Sequence, residues 1–585
     1  MSNGNVPSAD TILAVDFGTA TTRVLLFDVV ANVYRFVGYG EAPTTIDAPY
    51  HDASEGLRHA LAELEAVTGR VVVDENARLL MPAAPDGRGV DSFVATSSAG
   101  PAVRALLVGL LPDVSLAGAR QLADGAYLAV RDSFSLDDTR GQDQQIDAVI
   151  AARPDLLVIA GGTDGGASDA LLKLVETISL ACHLLPPNNR VKALFTGNPA
   201  LQPRMQELLG RVAAVSVAPN VMPDLDHRQL GPARAALSQV YETLRVEQVG
   251  GFNELAQWTG GRITPTAQAE GHYVRFLSKL PEGQRGVLSV NVGSANTSVA
   301  AAWNGRLYLN VRPELGVGTA AANALGDTPL DQIARWLPFP IGDDALREFV
   351  LNKSAYPHTV PAEPEDLALE LALARHVIRA ALRRARPTWP ENAPGPRPEL
   401  LPWFSLILGG GAVLGRAPRP GLAALVLLDA LQPAGVTRLV ADARHLAAAL
   451  GAVAYTNPLA TAQIHDSLAF TDLGVAVAVV GRARAGEPAC SVKLTEDGGA
   501  ERELEVGYGS LEVLPLALGR TAKLTVRPRA GFNLGQGLGR GRTITVTGGA
   551  VGVIIDARGR PIAFPRLPEQ RQALVQTWIN KLGGV

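Results

Sequence analysis

The sequence predicts an α/β protein with two similar lobes, and three glycine-rich segments carry this prediction. The first, at 13–28, is an apolar strand, a tight turn of glycine and hydroxyl residues, and a second apolar strand. The second, at 288–301, repeats that order much later in the chain. The third, at 403–414, is an apolar strand that runs into three consecutive glycines. A strand–turn–strand unit that occurs twice indicates two related halves that face each other.

The two hairpin turns are suited to binding phosphate. A tight turn of glycine with Ser, Thr or Asn directs backbone N–H groups and small hydroxyls at one spot. The candidate ligand residues are Asp16, Gly18, Thr19, Thr21, Thr22 and Arg23 in the first hairpin, and Asn291, Gly293, Ser294, Asn296 and Thr297 in the second. Thr21 and Thr22 are equally typical of ordinary strand packing, so both interpretations stay open for them.

In order, spacing and strand context, these segments resemble the nucleotide-binding elements of the actin, sugar-kinase and Hsp70 superfamily. That resemblance implies a two-lobed actin-like (ribonuclease H-like) ATPase fold that binds ATP or ADP with Mg²⁺ between its lobes. It also implies that Asp16, in the phosphate-1 loop, is the catalytic and metal-binding carboxylate. The adenosine would rest on Gly409, Gly410 and Gly411, because only glycine allows so close an approach to bare backbone.

Three further segments, at 155–166, 218–224 and 428–439, resemble blocks of the MutL (or GlmL) family of glutamate mutase accessory proteins. The first of them contains the sequence Gly-Gly-Thr-Asp-Gly-Gly, which is fairly specific to that family. The resemblance implies a chaperone-like protein whose nucleotide sets the angle between the lobes. Its client would be a coenzyme-B12-dependent mutase or a similar enzyme complex.

The second hairpin departs from the superfamily pattern at Asn291, where an aspartate is expected. Ser298 likewise occupies a place where a later aspartate would be expected. An amide still forms hydrogen bonds, but it neither supplies negative charge to Mg²⁺ nor accepts a proton. We therefore expect nucleotide binding to be retained and hydrolysis to be weak or lost, and whether the chain is an enzyme stays open.

Asp164 is the second candidate catalytic residue. It follows the apolar run at 156–160 and is flanked by glycines, and ligands of open α/β sheets bind at the carboxyl ends of such strands. The alternative is that Asp164 caps a helix predicted at 167–185 or braces its loop.

Two other functions compete with the accessory role. A small-molecule kinase of the same superfamily needs a carboxylate base near the acceptor hydroxyl, and Asp164 is the obvious candidate. A non-catalytic structural or assembly protein would keep the fold without hydrolysis. Asn291 favours the assembly protein over the kinase.

Composition narrows the class of protein. With 585 residues and 61.3 kDa the chain is too long for one core, so several domains are expected. The net charge of −4 and a pI near 6.2 argue against a nucleic-acid partner. No apolar stretch is long enough to cross a bilayer, and residues 1–10 lack an apolar signal core. Only two cysteines occur, without metal-ligand spacing, which favours a reduced, cytoplasmic location.

Hydrophobic patterning divides the chain into four parts. We expect a first lobe at 1–150, an α/β insertion or continuation of it at 151–285, a second lobe at 286–482 and a small all-β domain at 485–585. Strands are predicted at 93–100, 156–160, 191–195, 212–217, 437–440, 490–494, 522–526, 543–546 and 551–556. Helices are predicted from residue 102 and at 365–384, 420–431, 445–451 and 569–582. The arginines of the 365–384 helix are expected to be solvated.

Overall fold

The computed structural model describes residues 11–76, 78–166, 169–186, 191–225, 227–260, 262–326, 329–467 and 469–583. Outside these ranges lie residues 1–10, which were predicted to lack a signal core, and the first two residues of the helix predicted at 167–185. The strands are β1 (Ile12–Phe17), β2 (Thr21–Val30), β3 (Val33–Pro43), β4 (Ser92–Ser97), β5 (Val103–Val108), β6 (Leu128–Phe134), β7 (Leu156–Ile159), β8 (Val191–Phe195), β9 (Ala213–Val217), β10 (Ile263–Pro265), β11 (Val287–Val292), β12 (Thr297–Trp303), β13 (Arg306–Arg312), β14 (Leu406–Gly410), β15 (Gly435–Asp442), β16 (Thr471–Ala478), β17 (Pro488–Glu496), β18 (Glu501–Gly507), β19 (Leu511–Leu514), β20 (Thr521–Pro528), β21 (Arg542–Thr547) and β22 (Val553–Asp556).

The α-helices are α1 (Ala53–Thr68), α2 (Ala117–Ala123), α3 (Gln142–Ala152), α4 (Asp169–His183), α5 (Gln202–Leu209), α6 (Leu230–Gln248), α7 (Phe252–Trp258), α8 (Thr266–Leu277), α9 (Asp331–Ala334), α10 (Asp343–Ala355), α11 (Pro364–Ala385), α12 (Ala412–Gly415), α13 (Pro420–Leu431), α14 (Leu446–Val453), α15 (Pro458–His465) and α16 (Pro568–Leu582).

Two sheets repeat one topology, which confirms the predicted actin-like, two-lobed fold. In the first, β1, β2 and β3 form an antiparallel meander, and β4 and β10 extend the sheet parallel to β1. In the second, β11, β12 and β13 form the same meander, and β14 and β15 extend it parallel to β11. The two glycine turns therefore occupy equivalent places, one in each lobe.

A third sheet, in the order β6-β5-β7-β8-β9, is entirely parallel and forms the α/β insertion. The boundary predicted at residue 150 falls between β6 and β7 of this one sheet. The helix predicted from residue 102 is wrong, because this segment is β5, buried between β6 and β7. Its Val103 and Val108 ends are β-branched and favour a strand buried on both faces.

The C-terminal segment divides between two sheets. Strands β17, β18, β20 and β21 form a separate antiparallel four-stranded sheet, as expected of an all-β appendage. Strands β22 and β19, by contrast, continue the second lobe's sheet beyond β16. The chain from 485 onward is therefore partly built into the second lobe.

Buried ion pairs attach this segment to the second lobe. Arg558 pairs with both Asp556 and Asp429, and Arg560 pairs with Asp556. Arg375 of α11 also pairs with Asp429 at 2.7 Å and is buried, so the prediction that the arginines of this helix are all solvated is wrong. The reason is that α13, which carries Asp429, packs against α11.

Helix α8 connects the lobes. It follows directly from β10 of the first lobe and packs against β11, β12 and β13 of the second. Most of its residues are buried, including Thr266 and Glu270. Thr266 contacts Asp16, and Glu270 contacts Asn291, two of the sequence-predicted ligand residues.

Candidate nucleotide cleft

The two glycine turns line one cleft between the lobes. The first hairpin contributes Asp16, Gly18, Thr19, Thr21 and Arg23, and the second contributes Asn291, Gly293, Ser294 and Asn296. Gly411, at the end of β14, lines the same cleft. Ten of the sequence-predicted residues are thus brought together from positions far apart in the chain.

The two turns also share one construction. The Gly18 N–H donates to the Thr21 carbonyl at 3.0 Å, and the Gly293 N–H donates to the Asn296 carbonyl at 2.8 Å. A Cβ at Gly18 would lie 2.8 Å from the Thr21 oxygen, and one at Gly293 would lie 2.9 Å from the Asn296 oxygen. No side chain fits such a closure, so both turns require glycine.

Four predicted ligand residues do not line the cleft. Thr22 is buried, and its hydroxyl is 2.8 Å from that of Thr44, which matches the strand-packing interpretation. Thr297 is buried at the start of β12, and Gly409 and Gly410 are buried in β14. For Thr22 and Thr297 the cause is the alternation of strand residues between the two faces of a sheet, whose phase the sequence pattern did not reveal. Gly409 and Gly410 are enclosed because β14 lies between β11 and β15.

Gly411 has a conformation that the cleft wall requires. Its φ is +93°, and a Cβ there would lie 2.0 Å from the Val292 carbonyl oxygen. The three glycines therefore bring β14 against the turn that follows β11, and only Gly411 of the three faces the cleft.

Asp16 is a buried carboxylate held by two hydroxyls. The side chains of Thr96 and Thr266 both donate to Oδ1, each at 2.7 Å. Thr96 comes from the parallel neighbour β4 and Thr266 from the first turn of α8. In the described ranges no donor lies within hydrogen-bond distance of Oδ2, which leaves that oxygen to a ligand in the cleft.

Arg23 is the buried cation of the first hairpin. Burial lowers the pKa of its guanidinium, while Asp16 and Glu41 act in the opposite direction. Its Nε lies 3.6 Å from Glu41 Oε2, and the same oxygen pairs with Arg416 of the second lobe. Arg416 also lines the cleft, so this cluster joins the two lobes beside it.

Sequence reasoning missed Glu270, which lies directly behind Asn291. The Asn291 amide nitrogen donates to Glu270 Oε2 at 3.0 Å, and the hydroxyl of Ser298 donates to the same oxygen at 3.4 Å. Ser289 donates to Oε1. Burial raises the pKa of Glu270 to about 7, and the three donors partly offset that effect. The available signal was weak: Glu270 is the one acidic residue of α8, and it stands between Ala269 and Gly271.

Other polar groups of the second lobe complete the wall of the cleft. Lys353 lies 3.1 Å from Glu370, and both line the cleft. His445, in a left-handed conformation with φ +58°, lines it as well. Burial holds the pKa of His445 well below its ordinary value, and Arg23 and Arg416 lower it further, which favours the neutral imidazole.

Asp164 lies elsewhere, in the α/β insertion. Its carboxylate accepts a hydrogen bond from Asn220 at 2.8 Å, and its N–H donates to the Pro223 carbonyl at 3.0 Å. The same Asn220 amide reaches the Gly162 carbonyl at 3.0 Å. The segments at 155–166 and 218–224 thus meet at the carboxyl end of β7, where Asp164 joins their loops.

The donor set of the cleft fits Mg²⁺ bound with a nucleotide. Magnesium is commonly held by one or two carboxylates, several waters and substrate phosphates. Asp16 provides such a carboxylate, next to two turns suited to phosphate. Within the described ranges no group of three or more His, Cys, Asp or Glu residues could hold a metal by itself. Nor does any described helix have the length and apolar character to span a membrane.

Comparisons with known proteins give one family and several distant structures. The family model described as MutL protein matches residues 12–468. Protein MutL of Clostridium tetanomorphum is 24% identical over 298 residues, which are 50% of this chain, and the chain spans only 57% of that protein's length.

Among solved structures, nucleotide-free acetone carboxylase has 12% identity and a TM-score of 0.33, with 86% of this chain and 81% of that chain covered. Component A of (R)-2-hydroxyglutaryl-CoA dehydratase from Acidaminococcus fermentans has 9% identity and a TM-score of 0.27, with 77% and 99% covered. With TM-scores below 0.5, these likenesses support no inference about this chain.

Proposed function

Because the chain belongs to the MutL family, accessory proteins with an actin-like ATPase fold, we propose that it binds ATP or ADP with Mg²⁺ between its lobes and acts on a partner enzyme. The observation that carries this proposal is the pair of similarly built glycine turns on opposite walls of one cleft. Each turn contacts one side of a bound phosphate chain, so the site is complete only when the lobes are closed.

Asp16 holds the Mg²⁺ in this proposal, through its Oδ2 oxygen or through water. The metal would neutralise phosphate charge in the cleft, and Arg23 adds a positive charge on the same side. Thr96 and Thr266 fix the carboxylate from two separate elements, one of which is the connecting helix α8. The metal ligand is therefore held in part by the helix that packs against both lobes.

Hydrolysis is weak or lost in this proposal. Asn291 occupies the place from which a carboxylate would orient or activate water, and an amide cannot accept that proton. His445 lines the cleft as well, but no hydrogen bond from a described carboxylate reaches its ring to orient it as a base. Nucleotide binding thus acts mainly through the lobe angle.

The proposed partner is a coenzyme-B12-dependent mutase or a similar enzyme complex. This part of the proposal is supported by the family alone. A nucleotide that touches both lobes favours the closed state by its differential affinity for it. Surfaces that differ between the open and closed states would then bind or release the partner. The kinase alternative loses its candidate base, because Asp164 does not line the cleft.

The first experiment is calorimetric titration of the protein with ATP and ADP in Mg²⁺, with a phosphate-release assay on the same sample. We expect binding of both nucleotides with little or no turnover. Asp16→Asn is expected to weaken Mg²⁺-dependent binding at least about tenfold, since it removes the charged ligand. Asp164→Asn is the matched control and should leave the dissociation constants unchanged.

Equal affinities for wild type and Asp16→Asn would show that the cleft is not the nucleotide site. The partner is tested separately, by sedimentation of the protein with a purified B12-dependent mutase in the presence of ATP, ADP or neither. Nucleotide-dependent association is expected, and no association in any of the three states would contradict the accessory role with that enzyme.

A further inference from the structure

Three hydrogen-bond donors converge on the buried carboxylate of Glu270. Ser289 and Asn291 are two residues apart on β11 and therefore face the same side of the sheet. Ser298 lies directly opposite Asn291 on β12. Glu270 reaches this group from α8, with only 2% of its surface exposed. The four side chains form one unit immediately behind the second glycine turn.

This unit determines which end of the Asn291 amide faces the cleft. The Asn291 NH₂ group is the one that meets Glu270, at 3.0 Å, and above about pH 7 the ionised carboxylate can only accept hydrogen bonds, which fixes this orientation. The amide oxygen is thereby directed away from Glu270, and Asn291 itself lines the cleft. Without Glu270, rotation of the amide would present either its oxygen or its nitrogen.

We propose that Glu270 is a positioning residue for the nucleotide site, because it holds Asn291 so that the amide oxygen faces the bound ligand. Its carboxylate lies behind Asn291, the position at which the superfamily has an aspartate and this chain has an amide. This inference rests on the proposed function, because it assumes that the ligand is a Mg²⁺-nucleotide. Glu270 touches neither the nucleotide nor the metal and acts only through Asn291.

The arrangement also explains why restoring an aspartate at 291 is not a simple repair. Asn291→Asp would place two carboxylates about 3 Å apart in a buried site, where like charges disfavour ionisation of both. The two carboxyl groups must then share a proton. When that proton is lost at higher pH, the repulsion between the two charges lowers the stability of the folded protein. Exchanging the two groups, with Asn291→Asp and Glu270→Gln together, keeps every heavy atom in place. The hydrogen bond then runs from Gln to Asp, and the second Asp oxygen still faces the cleft.

The test compares wild type with Glu270→Met, Asn291→Asp, and the exchange variant Asn291→Asp/Glu270→Gln. Dissociation constants for Mg²⁺-ADP and Mg²⁺-ATP are measured at pH 8, and Tm without nucleotide is measured at pH 6 and pH 9. Glu270→Met keeps the length of the side chain but removes the acceptor. We expect it to weaken nucleotide binding about five- to tenfold, which corresponds to the loss of one hydrogen bond between the Asn291 amide and the ligand.

The exchange variant is expected to bind within about threefold of wild type, because coupled groups that are changed together recover their contact. Asn291→Asp alone is expected to have a Tm that falls from pH 6 to pH 9 relative to wild type, while the exchange variant does not. The control is Glu242→Met, which removes a partly buried glutamate from α6, beside a separate cavity, and should leave nucleotide binding unchanged.

Two results would overturn the inference: nucleotide binding by Glu270→Met at the wild-type level, or an exchange variant no better than Asn291→Asp in either Tm or affinity. A purely structural role would lower Tm in Glu270→Met without a matching loss of affinity in the folded protein. If wild type itself binds no nucleotide, the proposed function fails, and the pH dependence of Tm still decides whether Glu270 and Asn291 are coupled.

Discussion

At the scale of single residues, two buried carboxylates beside the cleft differ in what surrounds them. Asp16 accepts two hydroxyl hydrogen bonds and has the Arg23 guanidinium nearby. Glu270 accepts three hydrogen bonds but has Asp442 rather than a cation as its charged neighbour. Asp442 is itself buried, and burial raises its pKa to about 6. The second-lobe side of the cleft therefore contains carboxylates that resist ionisation.

Because Glu270 is buried, the free energy of unfolding is expected to fall as the pH rises. Its pKa is raised by burial from 4.5 to about 7. Between about pH 4.5 and about pH 7 the unfolded chain releases this proton and the folded chain keeps it. The free energy of unfolding therefore falls as the pH rises, by on the order of 3 kcal/mol in total. Glu270→Gln removes this contribution, so its Tm relative to wild type is expected to be higher at pH 8 than at pH 5.

Differential scanning calorimetry of both proteins without nucleotide, at pH 5 and pH 8, measures this difference. A Tm difference that is the same at the two pH values would show that Glu270 is already ionised at pH 5. That result would leave the hydrogen bond between Asn291 and Glu270 in place, but it would contradict the predicted pH dependence of the unfolding free energy.

At the scale of elements, the glycine turns depend on backbone geometry that side chains cannot reproduce. Gly411→Ala would put a Cβ 2.0 Å from the Val292 carbonyl, at a φ of +93°. We expect the substitution to lower stability by about 1–3 kcal/mol and to weaken nucleotide binding, because the cleft wall must move. Chemical denaturation and calorimetric titration measure the two effects.

Gly231→Ala is the control for that substitution. Gly231 lies in the first turn of α6, and a Cβ added there would meet no atom within 4 Å, so alanine is expected to be neutral or slightly stabilising. A Gly411→Ala variant as stable as Gly231→Ala, with wild-type affinity, would show that β14 does not need its close contact with Val292.

The attachment of the C-terminal segment depends on the buried ion pairs around Asp556. This carboxylate accepts from Arg558 and Arg560, and these two guanidinium groups hold its pKa below the ordinary range although burial alone would raise it. Asp556→Ala would leave two buried cations without it, and we expect a loss of about 3–5 kcal/mol in the free energy of unfolding. Asp86→Ala, which breaks an exposed ion pair with Arg88, should leave Tm unchanged.

Denaturant unfolding, with limited proteolysis of the segment from 485 onward, checks this prediction. An Asp556→Ala protein with wild-type stability would mean that Arg558 finds enough compensation in Asp429. In that case strand pairing of β22 with β16, rather than the ion pairs, holds the segment to the second lobe.

Sequence and structure agree where a local pattern determines the element. The hairpins at 13–28 and 288–301 were predictable because an apolar strand, a glycine turn and a second strand leave little alternative. The sequence did not reveal which face of the sheet each strand residue points to. Thr22 and Thr297 were therefore predicted as ligands, although both are buried away from the cleft. Long-range pairing was also hidden, since nothing local to β22 indicates that it joins β16.

Glu270 illustrates the limit most clearly. Its role depends on three side chains that lie on two strands from a later part of the chain. Without those neighbours, a single glutamate on an amphipathic helix gives no reason to connect it with Asn291. Asp164 shows the opposite case, because its glycine-rich loop has the pattern of a ligand site and yet joins two loops outside the cleft.

At the scale of the whole molecule, the lobes are joined in two ways. Along α8 and α14 they share one continuous apolar core, and Tyr34 of β3 is bonded to Gln463 and Asn457 of the second lobe. Beside the cleft, the contact is polar, from Glu41 of β3 to Arg416 just after α12. A buried apolar contact resists separation, whereas an exposed ion pair of this kind contributes only about 0–1 kcal/mol. Opening is therefore expected at the cleft, with α8 as the fixed side.

The Glu41–Arg416 pair should limit how fast a bound nucleotide leaves. Glu41→Gln removes the carboxylate that pairs with Arg416 of the second lobe and, at 3.6 Å, with the buried Arg23 of the first. We expect the release rate of a fluorescent ADP analogue to rise up to about fivefold, because a solvent-accessible ion pair between the lobes is worth no more than about 1 kcal/mol. The difference from wild type should disappear near 1 M salt, where the screening length is about 3 Å. Glu55→Gln, which breaks an exposed pair within α1, is the control. Stopped-flow displacement measures all three rates, and a Glu41→Gln release rate equal to that of wild type at low salt would show that the pair does not hold the cleft closed.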